Sequence, residues 1–86
     1  MCTMINERAA ISGGGKGPNG WFSVGTAMVG FDHPTFVNLD HAITIDFVDE
    51  AVGPSARVAV ELTPDSARAL VDSILAALDR GKEAGI

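Results

Sequence analysis

Basic residues are scarce in this chain, and so is cysteine. Six lysines and arginines stand against eleven acids, and the interval between Lys16 and Arg57 contains no cation at all. Phosphate backbones are held by basic surface, so this deficit argues against nucleic acid as a partner. It argues equally against an anionic membrane surface. The single cysteine, Cys2, excludes an internal disulfide. No apolar run approaches the ~20 residues of a membrane span. The first residues, Met-Cys-Thr-Met-Ile-Asn-Glu-Arg, show no basic patch followed by an apolar core, and so no secretory signal is visible. Together these absences make the cytoplasm the expected compartment.

What is present suits one small globule. Hydrophobic residues make up 47% and charged residues 20%, a balance that excludes a disordered chain. At 86 residues, one modest core burying ~60–65% of the unfolded surface is expected. The net charge of −5 is concentrated at Asp32, Asp40, Asp46, Asp49 and Glu50. A solvated surface accounts for that run; a cation site or a basic partner is the functional alternative.

The stretch from Asp32 to Val48 organises the rest. From Leu39 the period is two, with Leu39, His41, Ile43, Ile45 and Phe47 on one face. The opposite face carries Asp40, Ala42, Thr44 and Asp46. Gly53-Pro54 marks a turn, and Ala56–Leu62 alternates again, so the two segments should form an antiparallel hairpin with Arg57 near Asp46. Upstream, residues 3–11 read as an edge strand, and Ser12–Gly20 reads as a flexible loop, five of its nine residues being glycine. Lys16 within it lacks the spacing of a phosphate-binding loop. Trp21–Phe31 is apolar on both parities, as in an interior strand, with Trp21 expected in the packing.

The helix signal over 64–80 is the clearest. Thr63 is an N-cap, Pro64 takes the first helical position, and Asp65 complements the dipole. Ala67, Leu70, Val71, Ile74, Leu75 and Leu78 form one apolar stripe. Arg68 and Asp72 make a polar pair at i, i+4. Gly81 is the expected stop. The expected architecture is α+β: a four-stranded antiparallel meander with one C-terminal helix packed on one face. Residues 1–81 form the single domain, and 82–86 a frayed tail. The helix should cover Leu39, Ile43, Ile45, Phe47, Val58, Val60 and Leu62, leaving the Ala42, Thr44 and Ala59 face open to a second copy. A homo-oligomer, most simply a dimer, is therefore expected.

The runs Lys-Gly-Pro-Asn-Gly-Trp-Phe from Lys16, Phe-Asp-His-Pro from Phe31, Asp40–Phe47, and Gly-Pro-Ser-Ala-Arg-Val-Ala-Val-Glu-Leu from Gly53 resemble a family of short actinobacterial proteins of unknown function. The resemblance implies a bacterial, non-secreted, stand-alone domain and no mechanism.

No catalytic motif is visible, and no catalytic or cofactor-binding residue is assigned. The reading is a non-catalytic self-associating or partner-binding domain. One alternative is a zinc or copper protein using His33, His41, Cys2 and Asp32, whose imidazoles and thiolate suit those ions. Asp40 is adjacent to His41 in an alternating strand and points the other way. His33 and His41 could share an ion only if the Pro34 turn folds back or a second subunit supplies one of them. Another alternative is a small enzyme with one histidine as general base. A small-molecule carrier, with a pocket between Trp21 and the helix, completes the field.

Overall fold

The computed structural model describes residues 5–86; Cys2 lies outside them. Four strands come first in chain order: β1 (Ile5–Gly17), β2 (Gly20–Asp32), β3 (Ala42–Val48) and β4 (Arg57–Leu62), followed by one helix, α1 (Pro64–Glu83). Each strand is antiparallel to the one before it, giving an open sheet of order β1-β2-β3-β4. This is the α+β meander with a C-terminal helix that the periodicity predicts.

The register explains the two faces. Ile43 lies between Phe31 and Leu62, Ile45 between Val29 and Val60, and Phe47 between Ala27 and Val58. Three cross-strand rows of branched and aromatic side chains therefore line one face. The opposite rows are Gly30-Thr44-Glu61, Met28-Asp46-Ala59 and Thr26-Val48-Arg57. That second face carries ion pairs. The Arg57 guanidinium donates from Nε at 3.0 Å and from its terminal nitrogen at 2.7 Å to Asp46 Oδ1, as the hairpin implied. Arg8 pairs with Glu50 and holds that carboxylate below its usual range.

Three expectations need correction. The glycine-rich stretch is not a loop. Its ladder runs from Gly13 opposite Val24 to Gly17 opposite Gly20, leaving only Pro18 and Asn19 as the turn. Glycine weakens a strand because it has nothing to pack, but here β2 supplies the missing contacts. The Trp21 ring lies 3.6 Å from where a Gly14 Cβ would stand, and Phe22 and Val24 crowd the same position at Gly15. Trp21 itself is 74% exposed, so it is a cover for glycine backbone and not a core residue. A register shift between Ala10 and Gly13 marks a bulge. The long hairpin brings β1 up to β4, and Val24, Phe47 and Val58 line a small hollow of about 240 Å³ there.

Second, β3 begins at Ala42, not Leu39; residues 35–41 form a series of bends, and Leu39 is 47% exposed. Third, Gly81 does not stop the helix. It lacks a positive φ, whereas Gly85 has φ +77°. The helix ends in a Schellman motif around that residue: the Gly85 N–H donates to the Lys82 carbonyl at 3.0 Å, and the Ile86 N–H to the Gly81 carbonyl at 3.0 Å. At the other end Thr63 caps as expected, accepting from the Ser66 N–H at 3.2 Å.

Helix α1 lies over the apolar face on the β3 and β4 side, but loosely. No residue of the helix is buried. Its stripe is half open: Leu70 is 44% exposed, Ile74 52%, Leu75 55% and Leu78 65%. The sheet is left partly uncovered as well. Four strands at a spacing of ~4.8 Å make a sheet roughly 15–19 Å across, while a helix with its side chains is ~10 Å wide. One helix covers about half of one face. The whole chain shows the shortfall. Its accessible surface is 6599 Å², against ~4,800 Å² for a compact monomer of its mass. Its radius of gyration is 14.7 Å, against ~12 Å for a compact chain of this length. No large side chain is fully buried among the described residues; the core is Val24, Ala27, Ala42 and Ala56, with Thr26.

Candidate functional site

Two features of the apolar face stand next to each other: a groove beside α1 and a histidine pair at one end of it. The groove has a volume of about 580 Å³. Its floor is Ala27, Val29 and Phe31 of β2 with Ile43, Ile45 and Phe47 of β3. Its wall is the first half of α1, through Pro64, Ala67, Leu70, Val71 and Ile74. Alternation along two neighbouring strands puts the floor on one side of the sheet, and three- and four-residue spacing turns the wall toward it. Arg68 and Asp72 stand at its margin. Leu75 and Leu78, further along the same stripe, are outside the groove lining.

Phe31 joins the groove to the histidines. The β2–β3 ladder ends at Asp32 opposite Ala42. One step beyond, the Pro34 turn has folded back and His33 faces His41. Their ring centroids are 4.8 Å apart with planes tilted by 32°. His41 stacks on Phe31 at 5.4 Å and 14°. The three rings thus form one column that continues the groove floor. His33 is exposed and His41 half-buried, the order expected. The His33 Nδ1 lies 2.7 Å from the Asp40 carbonyl oxygen. A carbonyl only accepts, so Nδ1 carries the proton and, in the neutral ring, Nε2 carries the lone pair.

The other predicted ligands are placed differently. Asp32 Oδ1 accepts the backbone N–H of His33 at 2.7 Å, which turns that carboxylate toward the turn backbone. Cys2 lies outside the described residues. Among the described residues no cluster of three or more histidine, cysteine or acidic side chains could hold a metal ion.

Sequence reasoning missed the residue that positions this end of the sheet. Glu61 on β4 reads simply as an outward strand residue. In the structure its carboxylate crosses to the bend segment and accepts three successive backbone N–H groups: Thr35 at 2.6 Å, Phe36 at 2.8 Å and Val37 at 3.0 Å. Those bonds, Val37 first, then Thr35 and Phe36, hold the carboxylate below the usual glutamate range. The clasp fixes the segment that carries the turn between the two histidines. Its only trace in the linear sequence is negative: a run of non-proline residues after Pro34 whose N–H groups have no strand ladder to join.

Among the described residues, no helix is long and apolar enough to cross a membrane. Over residues 1–86 the chain matches, and belongs to, a family described as a family of unknown function, DUF6295. No curated protein and no solved structure matches it.

Proposed function

We propose that this member of a family of unknown function is a non-catalytic binding domain that works by seating an apolar polypeptide surface in the groove between α1 and the sheet. The observation that carries the reading is the apolar groove left open beside a single helix, with Leu70, Val71 and Ile74 of its wall 44%, 54% and 52% exposed. Exposed patches of this kind mark interaction surfaces in small domains. The setting proposed with it is the bacterial cytoplasm, and nucleic acid and membranes are left out as partners because the surface is acidic.

The test uses the untagged chain. Self-association is followed by analytical ultracentrifugation and apolar-probe binding by anilinonaphthalene sulfonate fluorescence, in wild type and in Ile74→Gln. Ile74 lines the groove yet is 52% exposed, so the fold should tolerate the amide. Expected is association or probe binding in wild type, weakened at least about tenfold in the variant with unchanged circular dichroism. A wild-type monomer that binds no apolar probe refutes the reading.

A second reading has one observation in its favour. His33 and His41, eight positions apart in sequence, stand with ring centroids 4.8 Å apart, as a zinc or copper site using both would need. In a zinc titration followed by proton NMR, a genuine site shifts both imidazoles together at micromolar concentration or below, and His33→Ala and His41→Ala each abolish it. An unmoved His41 with millimolar affinity makes the pair structural.

A further inference from the structure

Resting on the groove reading, we infer that the occupant is α1 of a second copy of this chain: two copies exchange helices about a two-fold axis beside α1, and each α1 lies over the open β2 half of the other's sheet. The chain carries two unfilled features that fit one another. One is concave, the groove floored by β2 and β3. The other is convex, the Leu75 and Leu78 end of the stripe, which lies outside that groove and is 55% and 65% exposed. A two-fold axis satisfies both at once, because each copy gives a ridge and receives one. A small apolar molecule would fill the hollow and leave Leu75 and Leu78 in water.

The dimensions agree. One helix leaves about half of the face open, which is room for one more helix at the usual 8–10 Å axis separation. A standard specific interface takes ~800 Å² from each partner. The surface excess of the single chain, 6599 Å² against ~4,800 Å², is large enough to contain such an interface. Charge also agrees. In an antiparallel pair centred near Leu70, Arg68 of one copy stands opposite Asp72 of the other, and both residues lie at the groove margin. The opposite sheet face carries the Arg57–Asp46 and Arg8–Glu50 pairs instead of an apolar patch, which moves the proposed interface away from Thr44 and Ala59.

Sedimentation equilibrium of wild type, Leu75→Arg, Leu78→Arg, Thr44→Arg and Ala59→Arg tests this, with circular dichroism as the folding control. Leu75 and Leu78 are mostly exposed within one chain, so arginine there should leave the fold intact. Expected is a wild-type dimer at micromolar concentration. Each leucine variant should weaken it on the order of 1,000-fold, because a two-fold interface carries every substitution twice. A second experiment fixes the orientation: Arg68→Asp and Asp72→Arg chains, each weakened alone, should recover a 1:1 heterodimer when mixed. A dimer that withstands Leu75→Arg and Leu78→Arg but is broken by Thr44→Arg or Ala59→Arg overturns the inference. So does a wild-type monomer. If that monomer still binds an apolar probe in an Ile74-dependent way, the groove reading survives and only the second copy is lost. If it binds none, both fall.

Discussion

Leu75→Ala separates a helix packed within its own chain from one packed by a partner. Fully burying a leucine stabilises a protein by about 1.5–3 kcal/mol. Leu75 is 55% exposed in the single chain, so less than half of that gain is realised there. Alanine recovers about 0.2 kcal/mol through its better helix propensity. The single-chain loss is therefore about 0.5–1 kcal/mol. Buried under a second copy, the same substitution should cost about 2–5 kcal/mol per chain, and it occurs twice per dimer. The assay is urea unfolding of wild type and variant over a hundredfold range of protein concentration. Expected is a wild-type midpoint that rises with concentration, and a variant deficit that grows with it from under 1 kcal/mol to several. A deficit of 2 kcal/mol or more that is independent of concentration would mean that Leu75 is packed inside its own chain. The loose helix described above would then be wrong.

Three further outcomes follow from other parts of the molecule. Gly30→Ala puts a Cβ 2.8 Å from Thr44 Oγ1 and 3.2 Å from Asn6 Oδ1, so overpacking of about 1–3 kcal/mol should outweigh the ~0.5–1 kcal/mol that alanine gains in a strand; Thr44→Ala should recover most of the loss in a double-mutant cycle. Thr63→Ala removes the bond to the Ser66 N–H and should cost about 1 kcal/mol, seen as a lower midpoint in thermal circular dichroism. Glu61 has a folded pKa below the ordinary glutamate range, so its contribution to stability is complete above that range and is lost as pH falls through the depressed value. Carbon-detected NMR should find Glu61 titrating below an unstructured glutamate, and Glu61→Gln should flatten the acid limb of the stability profile while mobilising residues 35–37. A normal Glu61 titration would remove the clasp from the account.

The elements of this fold are legible in the sequence because each rests on a local cause. Period two at Ile43, Ile45 and Phe47, a proline-started helix capped by Thr63, and the Gly53-Pro54 turn need no distant partner to be recognised. The proximity of Arg57 and Asp46 is nearly as local, since a short hairpin sets the register. Elsewhere the deciding partner lies far along the chain, and only the tertiary structure supplies it. The glycines at 13–17 become a strand because Trp21, Phe22 and Val24 lie against their backbone. His33 meets His41 because the Pro34 segment turns back, and Glu61, more than twenty positions away, holds that segment by three backbone N–H groups. The site was half visible in the same way: the histidines could be named, but not the Phe31 stack that ties them to the groove. The stripe on α1 says that the helix has an apolar side; it cannot say how much sheet that side covers. Coverage is a ratio of widths, one helix against four strands, and it exists only once the strands lie side by side.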